Sequence, residues 1–327
     1  MARVPRHTEL QNLVLATTTR QKYDNATTKF LDWCEDNGED ADTAEELDEV
    51  LNEYIHHLYH SGGSKSTAIN ALYGVARYLP GTSALLPLSR RAIRGWSKAT
   101  PPTPWAPLTW DLTVTIAIQF VRAGRMDFAV ATVLAFDCLL RISEFCKLQV
   151  SDVAFPGDLR MGIGFDEAAL RLRSTKTGPN KSVRILTPAV HKLLRWWCST
   201  RPASGPLFAF SAPQYRRAFR SICDGLGLDR TYVPHSLRHG GATALFNATK
   251  NIGLVMHHGR WAAERSARHY IQDGCAILIS LNVPEKLARA ARVLAKDLIG
   301  NLRRAVARSG GGSFGPHQVN YKTFCPA

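Results

Sequence analysis

A chain of 327 residues, 45% of them hydrophobic, is long enough for two domains with proper cores. Its 41 Lys and Arg against 27 Asp and Glu leave a formal charge of +14, which favours a polyanionic partner such as nucleic acid. Seven cysteines without CxxC pairs or ligand-like Cys/His spacing argue against a zinc site or a disulfide scaffold and for reduced thiols in an intracellular protein. No apolar run of about 18 residues predicts a membrane span, and the N-terminus has no apolar signal core.

The charge is segregated. Residues 1–105 carry eleven Lys/Arg and thirteen Asp/Glu, whereas residues 106–327 carry thirty and fourteen, so the basic character belongs to the C-terminal two-thirds. Residues 8–88 read as several helices. In Thr17–Trp33 the aromatic residues Tyr23, Phe30 and Trp33 fall at helical spacings. The acidic run from Glu35 to Glu49 reads as a solvated loop and the start of the next helix. Leu47–Tyr59 carries a helical apolar stripe, and Ser64–Tyr78 is a further helix behind a Ser/Thr-rich cap region. Ser89–Pro107 reads as a linker: its first half is basic, with Arg90, Arg91, Arg94 and Lys98, and its second half holds four prolines. A domain boundary is therefore expected near residue 100, with the linker ending near 107.

Residues 108–149 read as helical, ending in a long apolar helix from Met126 to Leu148. Strand signals follow at Gln149–Phe155, Ala169–Ser174 and Ser182–Leu186, with TKTGPNK as a hairpin loop between the last two. Helices return at 188–199, 211–226, 236–248, 251–257 and 263–272. A long basic amphipathic helix is expected over Pro284–Arg308, and the Gly-rich residues 309–327 read as a flexible tail. The fold class is thus mainly α with a small antiparallel β-sheet.

The chemistry lies in side chains spread along the second region. Arg141, in LLRISEF, is placed near the end of the apolar helix with Glu144 one turn on; a guanidinium there suits bidentate grip of a phosphate. Lys176 sits in the hairpin turn, where an ammonium can reach a leaving oxygen. His235 and Arg238, in HSLRHGG, share a helix face near a helix start, where the backbone favours anions. Trp261, after HHGR, carries an indole N–H that donates without titrating. Tyr270 ends AERSARHYI; a phenolic oxygen attacks phosphorus only with cations or a base beside it. The adjacent His257 and His258 read as surface or packing residues and no metal site is expected.

In order, these residues resemble the tyrosine recombinase (phage integrase) family: Arg, Lys, His-x-x-Arg, His or Trp, then Tyr. Arg141, Lys176, His235, Arg238, Trp261 and Tyr270 match that pattern, the gap of nine from Trp261 to Tyr270 is kept, and the tryptophan is the Cre-type option. Glu144 matches the acidic residue after the first arginine. The resemblance covers roughly residues 8–308. It implies a helical, SAM-like DNA-clamping domain over 1–100 and a mixed α/β catalytic domain over 108–308. It implies that Tyr270 forms a 3′-phosphotyrosyl link while Arg141 and Arg238 hold the phosphate. Lys176 would serve as general acid, His235 as general base or phosphate ligand, and Trp261 would position the phosphate. It also implies double-stranded DNA as partner, four protomers on two DNA sites, a C-terminal helix that docks on a neighbour, and no cofactor or metal. Arg90, Arg91, Arg94, Lys98, Arg173, Lys181 and Arg260 are the candidate DNA contacts. A type IB topoisomerase, or a silent DNA-binding protein descended from a recombinase, are the competing readings. The compartment expected is a bacterial cytoplasm or nucleoid, or a eukaryotic nucleus.

Overall fold

The computed structural model of the chain describes residues 9–78, 86–101, 105–158, 167–175, 178–271, 274 and 282–308. The chain divides into two compact units, Met1–Thr103 and Pro104–Ala327.

The first unit is helical throughout its described residues: α1 (Glu9–Leu13), α2 (Thr17–Asn37), α3 (Ala44–His60), α4 (Lys65–Tyr78) and α5 (Pro87–Ala99). Its core is Phe30 of α2, Leu51, Tyr54 and Ile55 of α3, Leu72 and Val75 of α4, and Trp96 of α5. The acidic run begins inside α2 rather than in a loop; the helix continues to Asn37, where Gly38 takes φ 69° and closes it. Thr43 and Glu46 then form a reciprocal cap that starts α3.

The basic stretch expected to be a linker is instead α5. Pro87 occupies the first turn, where its missing N–H costs nothing. The buried Asp48 of α3 accepts from the amides of Leu88 at 2.7 Å and Ser89 at 2.9 Å, so a distant carboxylate caps this helix. Arg91, Arg94 and Lys98 lie on its exposed side, and Arg90 is half-buried.

In the second unit α6 (Trp110–Arg122) and α7 (Met126–Asp137) form an apolar pair buried on nearly every side. The helix expected from Met126 to Leu148 breaks after Asp137. Leu139 adopts φ 48°, rare for a side chain of its kind, and a new short helix α8 (Ile142–Phe145) starts at Arg141. A 3-10 turn over Val150–Asp152 replaces most of the first expected strand, leaving β1 (Val153–Ala154). It pairs antiparallel with β2 (Ala169–Thr175), and β2 with β3 (Gly178–Arg184), in the register Leu170↔Val183 and Thr175↔Gly178. The strands thus take in most of the expected loop. Leu170, Leu172 and Val183 point into the core while Arg171 and Arg173 point out.

Helices α9 (Pro188–Ser199), α10 (Ala212–Gly225), α11 (His235–Thr249), α12 (Ile252–Gly259) and α13 (Glu264–Tyr270) follow, close to the expected spans. Gly240 and Gly241 of α11 have no room for a Cβ: it would collide with the carbonyls of Leu108 and Phe136. Their absence of side chain lets α11 lie directly against the end of α7. The single C-terminal helix expected over 284–308 is two, α14 (Glu285–Ala295) and α15 (Leu298–Arg308), divided at Asp297, whose carboxylate accepts from the Gly300 amide at 2.8 Å. Both pack on α6 of the same chain, with Ala291, Leu298, Leu302 and Ala305 buried in the core. No helix among the described residues is long and apolar enough to cross a membrane. The tail 309–327 and Lys176 lie outside the described residues.

Candidate active site

The break after α7 sets out three backbone carbonyls in succession. An α-helix ends with carbonyls that lack intrahelical partners and with a partial negative charge, so donors and cations gather there. Here His258 Nε2 donates to Asp137 O at 2.7 Å, and Arg260 Nη1 donates to Cys138 O at 3.1 Å. Leu139 O accepts from Arg260 Nη2 at 2.9 Å and also from Arg238 Nη1. Arg238, on the first turn of α11, donates through Nη2 to Gly259 O at 2.6 Å as well. Its side chain is wholly buried.

Arg141 is the residue that begins α8, not one near the end of a long helix. Its amide donates to Glu144 Oε2 at 2.9 Å and its Nη1 to Glu144 Oε1 at 2.7 Å. The buried Glu144 carboxylate also accepts from Arg260 Nη2 at 3.1 Å. Burial pushes the Glu144 carboxyl up, but Arg260 and the Arg141 amide and guanidinium outweigh it and hold the group below the usual carboxylate range.

Tyr270 closes α13 and is packed in an aromatic cage. His235 Nε2 lies 3.2 Å from its phenolic oxygen. The Trp261 ring lies 4.7 Å from its ring and the His239 ring 4.6 Å, centroid to centroid. The Arg238 guanidinium sits 4.4 Å from the Trp261 ring and 5.3 Å from the Tyr270 ring. Four buried polar atoms of this shell have no hydrogen-bond partner among the described residues: Arg238 Nε, Trp261 Nε1 and both ring nitrogens of His239.

The structure therefore brings His235, Arg238, Trp261 and Tyr270 into contact, with Arg141 close enough to bear on the charges of His235 and Arg238. Lys176, the remaining member, lies outside the described residues. Arg260 is a correction: expected as a DNA contact, it has a side chain only 4% exposed. Arg173 is half-exposed and paired with the buried Asp152 at 2.6 Å, and Lys181 is exposed on β3. His239 is an addition to the expected set; its place four residues after His235 puts both on one face of α11. Among the described residues no three His, Cys, Asp or Glu side chains are grouped to hold a metal ion.

The imidazoles here are kept neutral. Burial, then the Arg238 and Arg141 charges, push His235 down to about 4. Burial and the neighbouring histidines push His239 down to about 3, and burial and Arg260 push His258 down to about 4. An unfolded chain protonates histidine near pH 6.5, so between about pH 4 and 6.5 it binds protons that the folded protein refuses. Stability contributed by these groups is complete above about pH 6.5 and is lost as pH falls toward 4. The thermal midpoint should drop measurably from pH 7 to pH 5; a constant midpoint contradicts neutral burial. A neutral imidazole beside a phenol can take its proton, and buried cations with unpartnered N–H groups suit the negative charge that such a step creates.

Residues 116–274 match the model of the phage integrase family. No curated protein matches the chain. Among solved structures the chain is similar to a lambda integrase dimer bound to a COC' core site, at 15% identity and a TM-score of 0.57, covering 81% of this chain and 93% of that one. A second lambda integrase dimer on a COC' core site shares 16% identity at a TM-score of 0.54, covering 81% of this chain and 75% of that one. The Tn1549 transposon integrase in complex with circular intermediate DNA shares 17% identity at a TM-score of 0.50, with 71% and 84% covered. At these identities the likeness is one of fold: a mainly helical chain with a small antiparallel sheet.

Proposed function

The chain belongs to the phage integrase family of tyrosine-type site-specific recombinases, and on that premise we propose that Tyr270 is the nucleophile that cleaves and rejoins DNA. The observation that carries this reading is the Tyr270 shell: a neutral imidazole 3.2 Å from the phenolic oxygen, a buried guanidinium behind the ring, and unpartnered N–H groups around it.

His235 takes the phenolic proton as Tyr270 Oη attacks the scissile phosphorus. The bond from phosphorus to the 5′ oxygen breaks, and Lys176 gives that oxygen its proton. The products are a 3′-phosphotyrosyl link and a free 5′-hydroxyl. Arg141, Arg238 and the Trp261 N–H stabilise the charge on the non-bridging oxygens. Because Tyr270 and Trp261 cover Arg238, the phosphate reaches that guanidinium only as the Tyr270 ring moves toward the DNA. Strand exchange is the same step reversed with a new 5′-hydroxyl, through a Holliday junction. Its partner is double-stranded DNA, a reading supported by the lambda and Tn1549 integrases, whose structures are DNA complexes.

In this reading the first unit clamps the DNA, with Arg91, Arg94 and Lys98 of α5 as its basic face and Arg173 and Lys181 on the sheet of the second. Four protomers would act on two sites. A C-terminal helix passing to a neighbour would first have to leave α6. A binding mode built on phosphates releases counterions, so affinity should fall by about 10³-fold or more between about 50 and about 200 mM salt. A flat salt response contradicts the basic-face assignment.

The test is a nicked suicide duplex carrying a site selected by binding from a random-sequence pool. Wild type should yield a covalent protein–DNA band that survives denaturation. Tight binding without that band would favour a silent DNA-binding protein, and relaxation of supercoils without site preference would favour a type IB topoisomerase.

A further inference from the structure

Among the described residues, Arg260 is the buried cation that reaches both halves of the site. It follows the end of α12 at φ 59°, with its amide on His257 O at 3.1 Å and the Trp261 amide on Met256 O at 2.9 Å. That closure favours glycine at the left-handed position, because a side chain there is strained. Arg260 stands there all the same. Its guanidinium donates to the carbonyls of Cys138, Leu139 and His258 and to the Glu144 carboxylate, and through Leu139 O it meets the Arg238 guanidinium.

We propose that Arg260 is a positioning residue for DNA cleavage: it holds Glu144, which orients Arg141, and it shares the Leu139 carbonyl with Arg238, so one buried fork sets both phosphate-binding guanidiniums. The assignment rests on the recombinase reading above. Glu144 Oε1 takes the Arg141 guanidinium and Oε2 takes the Arg141 amide together with Arg260. Without Arg260 both carboxylate oxygens are held by Arg141 alone, so the Arg141–Glu144 pair loses its tie to the rest of the site and can shift as a unit, carrying the Arg141 guanidinium with it. A planar fork satisfies the carbonyls and the carboxylate at once, and a lysine ammonium at this position cannot span them.

The test is a double-mutant cycle on the full chain with the nicked suicide duplex, comparing wild type, Arg260→Gly, Glu144→Gln and the double variant. Glycine suits the left-handed backbone, so this change deletes the side chain while easing the turn. Single-turnover cleavage at saturating protein should fall on the order of 10²-fold in Arg260→Gly, while DNA affinity keeps its salt slope. In the Glu144→Gln background the same change should cost well under that loss, because the share that passes through Glu144 is already gone and only the share through Leu139 O remains. Arg260→Lys, which retains the charge and part of the packing, should show an intermediate loss with the same non-additivity, and it carries the test if the glycine variant does not fold.

Two outcomes overturn the assignment. A salt slope reduced by about one with unchanged saturated cleavage would make Arg260 a DNA contact. Fully additive losses would mean that it does not act through Glu144. Absence of any adduct from wild type removes the recombinase reading first, and this assignment with it.

Discussion

Tyr270→Phe should bind its DNA site with unchanged affinity and form no covalent adduct. The substitution removes one oxygen and leaves the ring, which is what packs against Trp261 and His239. The cage should therefore stay filled and the thermal midpoint should move by no more than a few degrees. The hydroxyl takes with it the hydrogen bond to His235 Nε2. Loss of the adduct with retained binding separates the nucleophile from a packing tyrosine. An adduct formed by Tyr270→Phe at more than about one hundredth of the wild-type rate would show that another group attacks, since losing a nucleophile costs far more than that.

Arg238→Met should have the second largest effect, and on two readouts together. Arg238 donates to Leu139 O and Gly259 O inside the protein and lies over the Trp261 ring. Methionine fills much of the stem volume but removes the donor to Gly259 O and leaves Leu139 O to Arg260 alone. That loss, with the ring interaction, amounts to about 3 kcal/mol, or roughly 6–12 °C in midpoint for a unit of this size. Cleavage at saturating protein should also fall on the order of 10³-fold, because a buried cation facing the transferred phosphate is removed. A variant that loses cleavage with an unchanged midpoint would show that the guanidinium faces the phosphate instead of the helix end. A variant that keeps cleavage but unfolds early would make it a purely structural residue.

The ordered set His235, Arg238, Trp261, Tyr270 is legible in the sequence because the spacing itself is the signal, and the fold brings those residues into contact. The helices with strong apolar stripes, such as α3 and α4, are legible for the same local reason. What stays hidden depends on residues far apart in the chain. Nothing in FDCLLRIS marks a break, since Leu139 is an ordinary helix former; the bend stands because Arg238, Arg260 and His258 donate to its carbonyls from about a hundred residues away. The cap on α5 comes from Asp48 on another helix. Arg260 misleads because charge is visible in a sequence and burial is not. The same limit applies to α14 and α15: a continuous basic amphipathic pattern does not disclose that Asp297 divides it or that its apolar face lies on α6.

The whole mechanism turns on one covalent linkage. The adduct from the nicked suicide duplex should be digested with nuclease and trypsin and the modified peptide mapped by mass spectrometry. Cleavage after Arg268 and Lys286 releases a peptide in which Tyr270 is the sole tyrosine. A nucleotide phosphate is expected on that peptide, fragmenting to Tyr270 and joined through the 3′ end of the cut strand. A phosphate on any other residue, or a link to the 5′ end, would contradict it.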